Sequence, residues 1–137
     1  MAVFIPDASV ALAWRFADEA TPYTESLLDR LAKGEEVAVP SNWPLEVING
    51  LIQAKRKARV SEIEIQRFIA DLSSFYIVVD ADHSFSRLGA VRDIAERHGL
   101  TSYDAAYIEL AMRLNLPLAS LDLDLLAAAK TAGLVVI

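Results

Sequence analysis

Short apolar runs alternate with longer amphipathic stretches along the chain. Five of the apolar runs are mostly β-branched or apolar and lack a clean polar face, which is typical of strands buried on both sides. These runs are residues 2–5, 36–40, 76–80, 116–120 and 134–137. The pattern therefore predicts parallel strands that are covered by helices.

The amphipathic stretches between these runs predict six helices. They cover residues 22–33, 44–57, 62–74, 84–98, 103–114 and 122–132. Ser61 and Glu64 have the spacing of a capping box, while Gly99 and Gly133 lie where helices commonly end. Strands that alternate with helices predict an α/β fold. We expect a three-layer α/β/α domain with a central, mostly parallel sheet of about five strands.

Length and composition narrow the class of protein. A chain of 137 residues with 54% hydrophobic residues suits one domain, residues 1–137, with a substantial core. The absence of cysteine excludes disulfides, a thiolate nucleophile and a Cys-based zinc site. The start "MAVFIPDA" lacks the features of a signal peptide, and no apolar run approaches the ~20 residues that span a bilayer. We therefore expect a cytoplasmic protein without a membrane partner.

The net charge of −6 argues against general binding of polyanions, because phosphate affinity comes from Lys and Arg. One segment, "QAKRKARV", is basic in contrast to the chain as a whole and contains Lys55, Arg56, Lys57 and Arg59. Two interpretations of this segment stay open. It is either a solvated helix end, where cations complement the helix dipole, or a patch that contacts phosphate.

Four carboxylates fall at the beginnings of predicted helices: Asp7, Glu46, Asp104 and Asp122. Taken singly, each is explained by the helix dipole or by N-capping. Three of them also follow predicted strands, and the carboxyl ends of parallel strands gather at one edge of a sheet, where ligands bind. Several carboxylates in one place need a compensating cation unless some of them bind protons. The sequence therefore predicts a shared acidic site.

Such a site favours Mg²⁺, with Mn²⁺ as a possible substitute, because oxygen-only ligands suit these ions better than zinc. Polar side chains close to the acids in sequence are expected to orient the carboxylates or bound water. They are Ser9, Asn49, Ser102 and Ser120. A divalent cation held by carboxylates activates water and stabilises charge on phosphate. The expected chemistry is phosphodiester hydrolysis without a side-chain nucleophile.

Four segments, taken together, resemble PIN-domain nucleases, and specifically the VapC ribonuclease toxins of type II toxin–antitoxin systems. The segments are "DASVALAW", "VPSNWPLEVINGL", "LTSYDAAYIELA" and "LPLASLDLDLLAAA". The resemblance covers essentially the whole chain. It implies a PIN-like fold and an Mg²⁺-dependent endoribonuclease whose catalytic and metal-binding residues are Asp7, Glu46, Asp104 and Asp122.

The resemblance also implies further residue matches and binding partners. Ser9 and Asn49 match polar positions of the family, Ser120 stands where Thr is common, and Gly50 stands where Ala is frequent. Asp124 is a second candidate for the fourth acid. The family implies an RNA substrate, a homodimer and a small antitoxin protein that wraps the toxin.

Two other functions are weighed against this one. An α/β phosphatase or phospho-acceptor protein would use Asp7 as nucleophile. The common hydrolase version wants a second Asp where Ser9 stands, and a receiver-type domain wants a Lys that "LPLASLDLD" lacks. A non-catalytic PIN-like scaffold is the other alternative, which retention of all four acids disfavours. His83 and His98 are assigned to a turn and to a helix end rather than to catalysis.

Overall fold

The sheet is built from two pairs of parallel strands. The computed structural model describes residues 1–82 and 84–137. Its strands are β1 (Ile5–Pro6), β2 (Val37–Val39), β3 (Ile77–Val79) and β4 (Leu118–Ala119). β1 pairs with β4, and β2 pairs with β3. Backbone hydrogen bonds from Val3 to Glu36 (2.9 Å) and from Ala38 to Phe4 (3.3 Å) join the pairs in the order β3-β2-β1-β4.

Six of the helices lie close to their predicted positions, and α1, which follows Asp7, is a further helix for which the sequence pattern gave no bounds. Within the described residues they are α1 (Ala8–Arg15), α2 (Pro22–Ala32), α3 (Trp43–Arg56), α4 (Glu62–Ser74), α5 (Phe85–His98), α6 (Ser102–Leu114) and α7 (Leu123–Thr131). The capping box of Ser61 and Glu64 is confirmed. Gly99 and Gly133 end α5 and α7 with φ of 64° and 84°, a left-handed conformation that glycine adopts without strain. His83, assigned to a turn above, lies outside the described residues.

The last predicted strand, residues 134–137, makes only an isolated parallel bridge between Val136 and Leu118. Leu118 donates to the Val135 carbonyl at 2.9 Å and accepts from the Ile137 N–H at 3.0 Å. The segment therefore runs beside β4 and extends the sheet. Its pairing stays short because β4 itself has only two residues.

Apolar side chains cover both faces of the sheet, because successive residues of a strand point to opposite sides. One cluster joins the strands to α3, α6 and α7. Its strand members include Ile5, Ala38 and Leu118. The smaller cluster joins them to α2, through Leu27 and Leu31. Its members from the sheet are Val37 of β2, Ala119 of β4 and Phe4, which directly precedes β1. Helices therefore pack on both sides of a parallel sheet, and the predicted α/β fold is confirmed.

None of the helices in the described ranges combines the length and the apolar character needed to cross a bilayer.

Helices α1 and α3 approach each other closely at Gly50. A Cβ atom added to Gly50 would lie 2.5 Å from Cδ1 of Leu12 and 3.2 Å from its Cγ. A glycine inside a helix lowers helix stability by about 1 kcal/mol relative to alanine. At this position the lower helix propensity is accompanied by closer packing of the two helices. The Leu12 side chain across the helix interface therefore leaves little room for a Cβ atom at position 50.

We expect Gly50→Ala to lower the free energy of unfolding, because overpacking costs about 1–3 kcal/mol and outweighs the gain in helix propensity. In a Leu12→Ala background the collision is removed. The same substitution should then raise the free energy of unfolding by about 1 kcal/mol. Urea denaturation of the four proteins measures both effects. Equal effects of Gly50→Ala in the two backgrounds would contradict the packing explanation.

Candidate active site

The four acids lie at the carboxyl edge of the sheet and on the helices that follow. Asp7 comes directly after β1, and its N–H donates to the Ala119 carbonyl of β4 at 2.9 Å. Asp122 is the N-cap of α7, which follows β4. Glu46 lies in the first turn of α3, and Asp104 in the first turn of α6. The strands deliver Asp7 and Asp122, whereas the helices deliver the other two acids.

Asp7 is a buried carboxylate with donors around both of its oxygens. Asp7 is only 5% exposed. Oδ1 accepts from the Ser9 hydroxyl at 2.5 Å and from the Val10 N–H at 3.2 Å, as the N-cap of α1. Oδ2 accepts from the Ser120 hydroxyl. Burial raises the pKa of Asp7 above its ordinary value, while these hydrogen bonds oppose the rise.

Ser9 and Ser120 connect Asp7 to the loop after β4. The Ser9 oxygen accepts from the Leu121 N–H at 3.0 Å, and the Ser120 oxygen accepts from the Asp122 N–H at 2.9 Å. Each hydroxyl therefore donates to Asp7 while it accepts from the backbone. This arrangement uses the donor and the acceptor capacity of both serines and holds Asp7 and Asp122 in one hydrogen-bonded unit.

Glu46 is held by two side chains from different parts of the chain. Its Oε1 accepts from the Tyr107 hydroxyl at 3.0 Å and from the Asn42 amide. Asn42 also donates to the Tyr103 carbonyl at 3.3 Å, which ties the start of α3 to α6. Burial is the main reason why the pKa of Glu46 is raised, and the charges of Asp104 and Asp7 add to it.

Asp104 and Asp122 form the more exposed part of the group. The N–H of Asp104 donates to the Thr101 hydroxyl at 3.1 Å, so Thr101 rather than Asp104 caps α6. Oδ1 of Asp122 accepts from the Asp124 N–H at 2.9 Å and the Leu125 N–H at 3.2 Å. Asp104, Asp122 and Asp124 all line a surface cavity of about 460 Å³. Capping thus uses one oxygen of Asp122.

The four charges act on one another in a closed ring. Asp122 raises the pKa values of Asp7 and of Asp104, while Asp7 and Asp104 raise the pKa of Glu46. Burial is the largest cause of all three shifts. Like charges affect one another in this way when they lie close together in a partly desolvated place. The fold therefore places these acids within electrostatic reach of one another in pairs, and their joint role as a site stays a prediction.

The donor chemistry fits a hard divalent cation. Carboxylate and hydroxyl oxygens are the ligands that Mg²⁺ and Mn²⁺ prefer, and a cation favours the ionised form of carboxyls whose pKa values are raised. Within residues 1–82 and 84–137, no group of three or more Asp, Glu or His side chains is arranged to hold a metal ion. The fit to Mg²⁺ or Mn²⁺ therefore rests on the type of the oxygen donors and on the negative charge that the acids share.

The other two predicted polar residues lie apart from these contacts. Asn49 is exposed one turn after Glu46, and among the described residues its side chain makes no hydrogen bond to the acids. Ser102 is exposed and lines a separate cavity of about 180 Å³ with Asn42 and Tyr103. Spacing on a helix predicts which residues share a face, but the packing decides which residue of that face reaches the carboxylate.

Sequence reasoning missed Asn42 and Tyr107 as the partners of Glu46. Asn42 directly precedes α3, where Asn is a common N-cap, and its side chain turns to Glu46 instead of capping the helix. Tyr107 lies one turn after Asp104 in "YDAAYIELA" and reads as a core aromatic residue. The available signal in the sequence was that Tyr107 follows Asp104 by three positions, a spacing that places two residues on the same side of a helix.

Sequence reasoning also missed a buried acid beside the site. Glu109 accepts from Arg87 at 3.2 Å and from Arg113 at 2.9 Å. Arg113 also bonds Asp80 at 2.6 Å, and Arg87 bonds Asp82 at 3.1 Å. These pairs lock α5, α6 and the end of β3 together. The arginines are engaged in structural ion pairs, which a buried acid requires.

The basic segment lies at the far end of α3 from Glu46. Residues 46 and 56 are ten positions apart on this helix, which corresponds to roughly 15 Å. Lys55 bonds Glu62 at 2.5 Å, and Arg59 bonds Asp18 at 3.1 Å and packs over the ring of Phe16. These contacts and the position at a helix C-terminus favour the helix-end interpretation over the phosphate patch.

Comparisons with known proteins define the class first. The PIN domain family matches residues 4–131, so the chain belongs to the PIN-domain family. The chain is 27% identical to Ribonuclease VapC3 of Pyrobaculum aerophilum over 124 residues, which cover 88% of this chain and 90% of VapC3. The crystal structure of PAE2754 from Pyrobaculum aerophilum is similar, with a TM-score of 0.72 and 27% identity. That match covers 94% of this chain and 86% of PAE2754.

These comparisons confirm the resemblance that the four sequence segments carried. PIN domains are typically metal-dependent nucleases, and this member of the family is distantly similar to Ribonuclease VapC3.

The raised pKa of Asp7 predicts how stability depends on pH. An acid with a raised pKa in the folded state contributes stability at low pH, and this contribution is lost as the pH rises through the raised value. Asp7→Asn removes the buried charge. We expect the variant to melt a few degrees above the wild type at pH 7, and the difference to shrink as the pH falls into the acidic range where Asp7 binds its proton.

Thermal denaturation over that pH range measures the effect. Asp93→Asn is the matched control, because Asp93 is an exposed acid on α5 and its replacement should leave the melting temperature unchanged. A destabilised Asp7→Asn protein at neutral pH would mean that the hydrogen bonds of the carboxylate outweigh the cost of burying its charge.

Proposed function

We propose that this protein is an Mg²⁺-dependent endoribonuclease of the VapC type and the toxin of a toxin–antitoxin pair. The proposal is carried by the ring of four mutually repelling carboxylates at the carboxyl edge of the sheet. N-capping accounts for Asp7 and Asp122 taken singly, but it does not account for four repelling charges placed near one another, which are costly for a fold to maintain. The family and the VapC-like relative support the same reading.

In this proposal Asp7, Glu46, Asp104 and Asp122 hold the ion, and Mn²⁺ can replace Mg²⁺. When bound, the ion supplies Lewis-acid stabilisation of the charge on the scissile phosphate and lowers the pKa of water. Ser9 and Ser120 fix the carboxylate of Asp7 at the buried end of the group. No side-chain nucleophile is required, which agrees with a chain that lacks cysteine.

The gradient of exposure across the acids indicates how RNA approaches. Asp7 is buried, Glu46 and Asp104 are half-buried, and Asp122 is exposed beside the cavity that it shares with Asp104. The phosphate is therefore expected to enter from the side of Asp104 and Asp122. Both the site and the whole chain are negatively charged, so RNA binding should require the divalent cation.

The direct test is cleavage of single-stranded and structured RNA by the purified protein with Mg²⁺ or Mn²⁺. We expect Asp7→Asn and Asp104→Asn each to lower the cleavage rate on the order of 100-fold or more, because each removes charge that the cation site needs. Asp93→Asn is the matched surface control and should keep the wild-type rate. Absence of cleavage by the wild type, or unchanged rates in both site variants, would overturn the proposal.

A paired substitution decides which residue is the fourth acid. Asp122 and Asp124 lie two positions apart and line the same cavity. Only Asp122 belongs to the ring of mutually repelling charges. We expect Asp122→Asn to lower the cleavage rate and Asp124→Asn to leave it unchanged. The reverse result would transfer the role to Asp124.

A phosphotransfer function that uses Asp7 as nucleophile has weaker support. The common hydrolase version uses a second Asp two positions after the first, but Ser9 stands there and donates a hydrogen bond to Asp7. The scaffold alternative leaves the raised pKa values of three acids without a purpose. Both alternatives predict that the wild type cleaves no RNA.

The proposal includes a cytoplasmic location, a homodimer and an antitoxin partner. Exposed apolar residues support contacts with proteins: Leu45, Ile48 and Ile52 form a stripe along α3, and Phe85 is 90% exposed at the start of α5. Light scattering tests the homodimer, for which we expect about twice the chain mass of 15.0 kDa.

Inducible expression tests the toxin role. We expect the wild type to arrest bacterial growth and to create new RNA ends, and Asp104→Asn to do neither, because it disables the acidic site. Co-expression of a small protein that binds this chain and acts as its antitoxin should restore growth. Equal growth and identical RNA ends in the wild-type and variant strains would remove the toxin role while leaving a nuclease role to the cleavage test.

A further inference from the structure

We propose that Tyr107 is a positioning residue that, together with Asn42, commits one oxygen of Glu46 to the protein and leaves the other oxygen for the cation. The inference rests on the proposed function and extends it to a residue outside the four acids. Tyr107 touches no substrate in this proposal. It acts only through the carboxylate of Glu46.

The first observation is that Tyr107 is a fixed hydrogen-bond donor. The residue is 1% exposed within the larger apolar cluster, so its ring is held by packing on all sides. A tyrosine phenol has an ordinary pKa of about 10. The phenol therefore keeps its proton at working pH, and its hydroxyl donates to Oε1 of Glu46 at 3.0 Å.

The second observation is that Oε1 of Glu46 has no remaining capacity. A carboxylate oxygen offers about two lone-pair sites, and Tyr107 and Asn42 occupy both on this atom. Among the hydrogen bonds of the described residues, none reaches Oε2. The protein therefore distinguishes two chemically equal oxygens and leaves Oε2 as the one that can bind a cation.

Asp122 shows the same division, whereas both oxygens of Asp7 accept hydrogen bonds. Oδ1 of Asp7 accepts from Ser9 and Val10, while Oδ2 accepts only from Ser120. Oδ1 of Asp122 accepts two backbone N–H groups, and no hydrogen bond within the described residues reaches its Oδ2. Glu46 differs in one respect. Its donors are side chains from outside its own helix, so a single substitution can remove one of them without disturbing the backbone.

The third observation is that both donors connect α3 to α6. Tyr107 lies on α6 three residues after Asp104, and these two positions share one side of the helix. Asn42 donates to Glu46 and also to the Tyr103 carbonyl of α6. These contacts fix the position of the carboxylate of α3 relative to the carboxylate of α6. Neither acid is delivered directly by a strand.

The test compares Tyr107→Phe with Tyr103→Phe, the same change on the same helix at an exposed position. Calorimetry with Mn²⁺ measures cation affinity, and RNA cleavage at saturating Mn²⁺ measures kcat and KM. We expect Tyr107→Phe to weaken Mn²⁺ binding and to lower kcat about 10-fold each, with KM for RNA unchanged, as for other residues that orient metal ligands. Tyr103→Phe should match the wild type in all three quantities.

A second comparison separates positioning from a purely structural role. In a Glu46→Gln background, Tyr107→Phe should cause no further loss of Mn²⁺ affinity, because the carboxylate through which it acts is gone. A structural role would produce the same loss in both backgrounds. Circular dichroism reports whether Tyr107→Phe folds. If it does not, Asn42→Ala removes the other donor to Oε1 and should weaken Mn²⁺ binding to a similar extent.

The outcomes also distinguish this inference from the proposed function. If the wild type binds Mn²⁺ and cleaves RNA but folded Tyr107→Phe is unchanged, only the role of Tyr107 is overturned. If the wild type binds Mn²⁺ without cleaving RNA and Tyr107→Phe weakens binding, the nuclease proposal fails and the positioning role stands. If the wild type binds no Mn²⁺, both are overturned.

Discussion

The buried carboxylate of Asp7 constrains the surrounding fold more than any other side chain of the acidic edge. A charge placed at the end of a core strand must be hydrogen-bonded, because desolvation without partners costs several kcal/mol. Ser9 and Ser120 meet that need and, through their own acceptor capacity, also hold the loop that carries Asp122. Strand β4 lies beside β1, so its loop reaches Asp7 directly.

The four acids at the carboxyl edge of the sheet lower the stability of the fold locally, and the rest of the domain offsets this loss. Three carboxyls there have pKa values raised mainly by burial, and each adds repulsion to its neighbours. Two apolar clusters on opposite faces of the sheet hold the strands and helices that carry these acids. Destabilised groups on a rigid support are common at functional sites, because preorganised charge is useful for binding and catalysis.

Local signals predicted six of the helices, α2 to α7, to within about a residue at each end, because helix boundaries depend on nearby caps and on a short hydrophobic period. The strands are shorter than predicted, since pairing needs a partner that the strand sequence does not specify. The polar residues that contact the acids were harder still to predict. Ser9 reaches Asp7 from two positions away, whereas Asn49 shares a helix with Glu46 and points to solvent.

The sequence by itself determined the alternation of strands and helices, the family, and the positions of the four acids, because all of these reside in local pattern and spacing. Only the tertiary structure decided which groups hold the acids. Tyr107 and Glu46 are 61 positions apart, and Ser120 and Asp7 are 113 apart. Contacts over such separations depend on how helices and strands pack, and a single sequence carries no local signal for that packing.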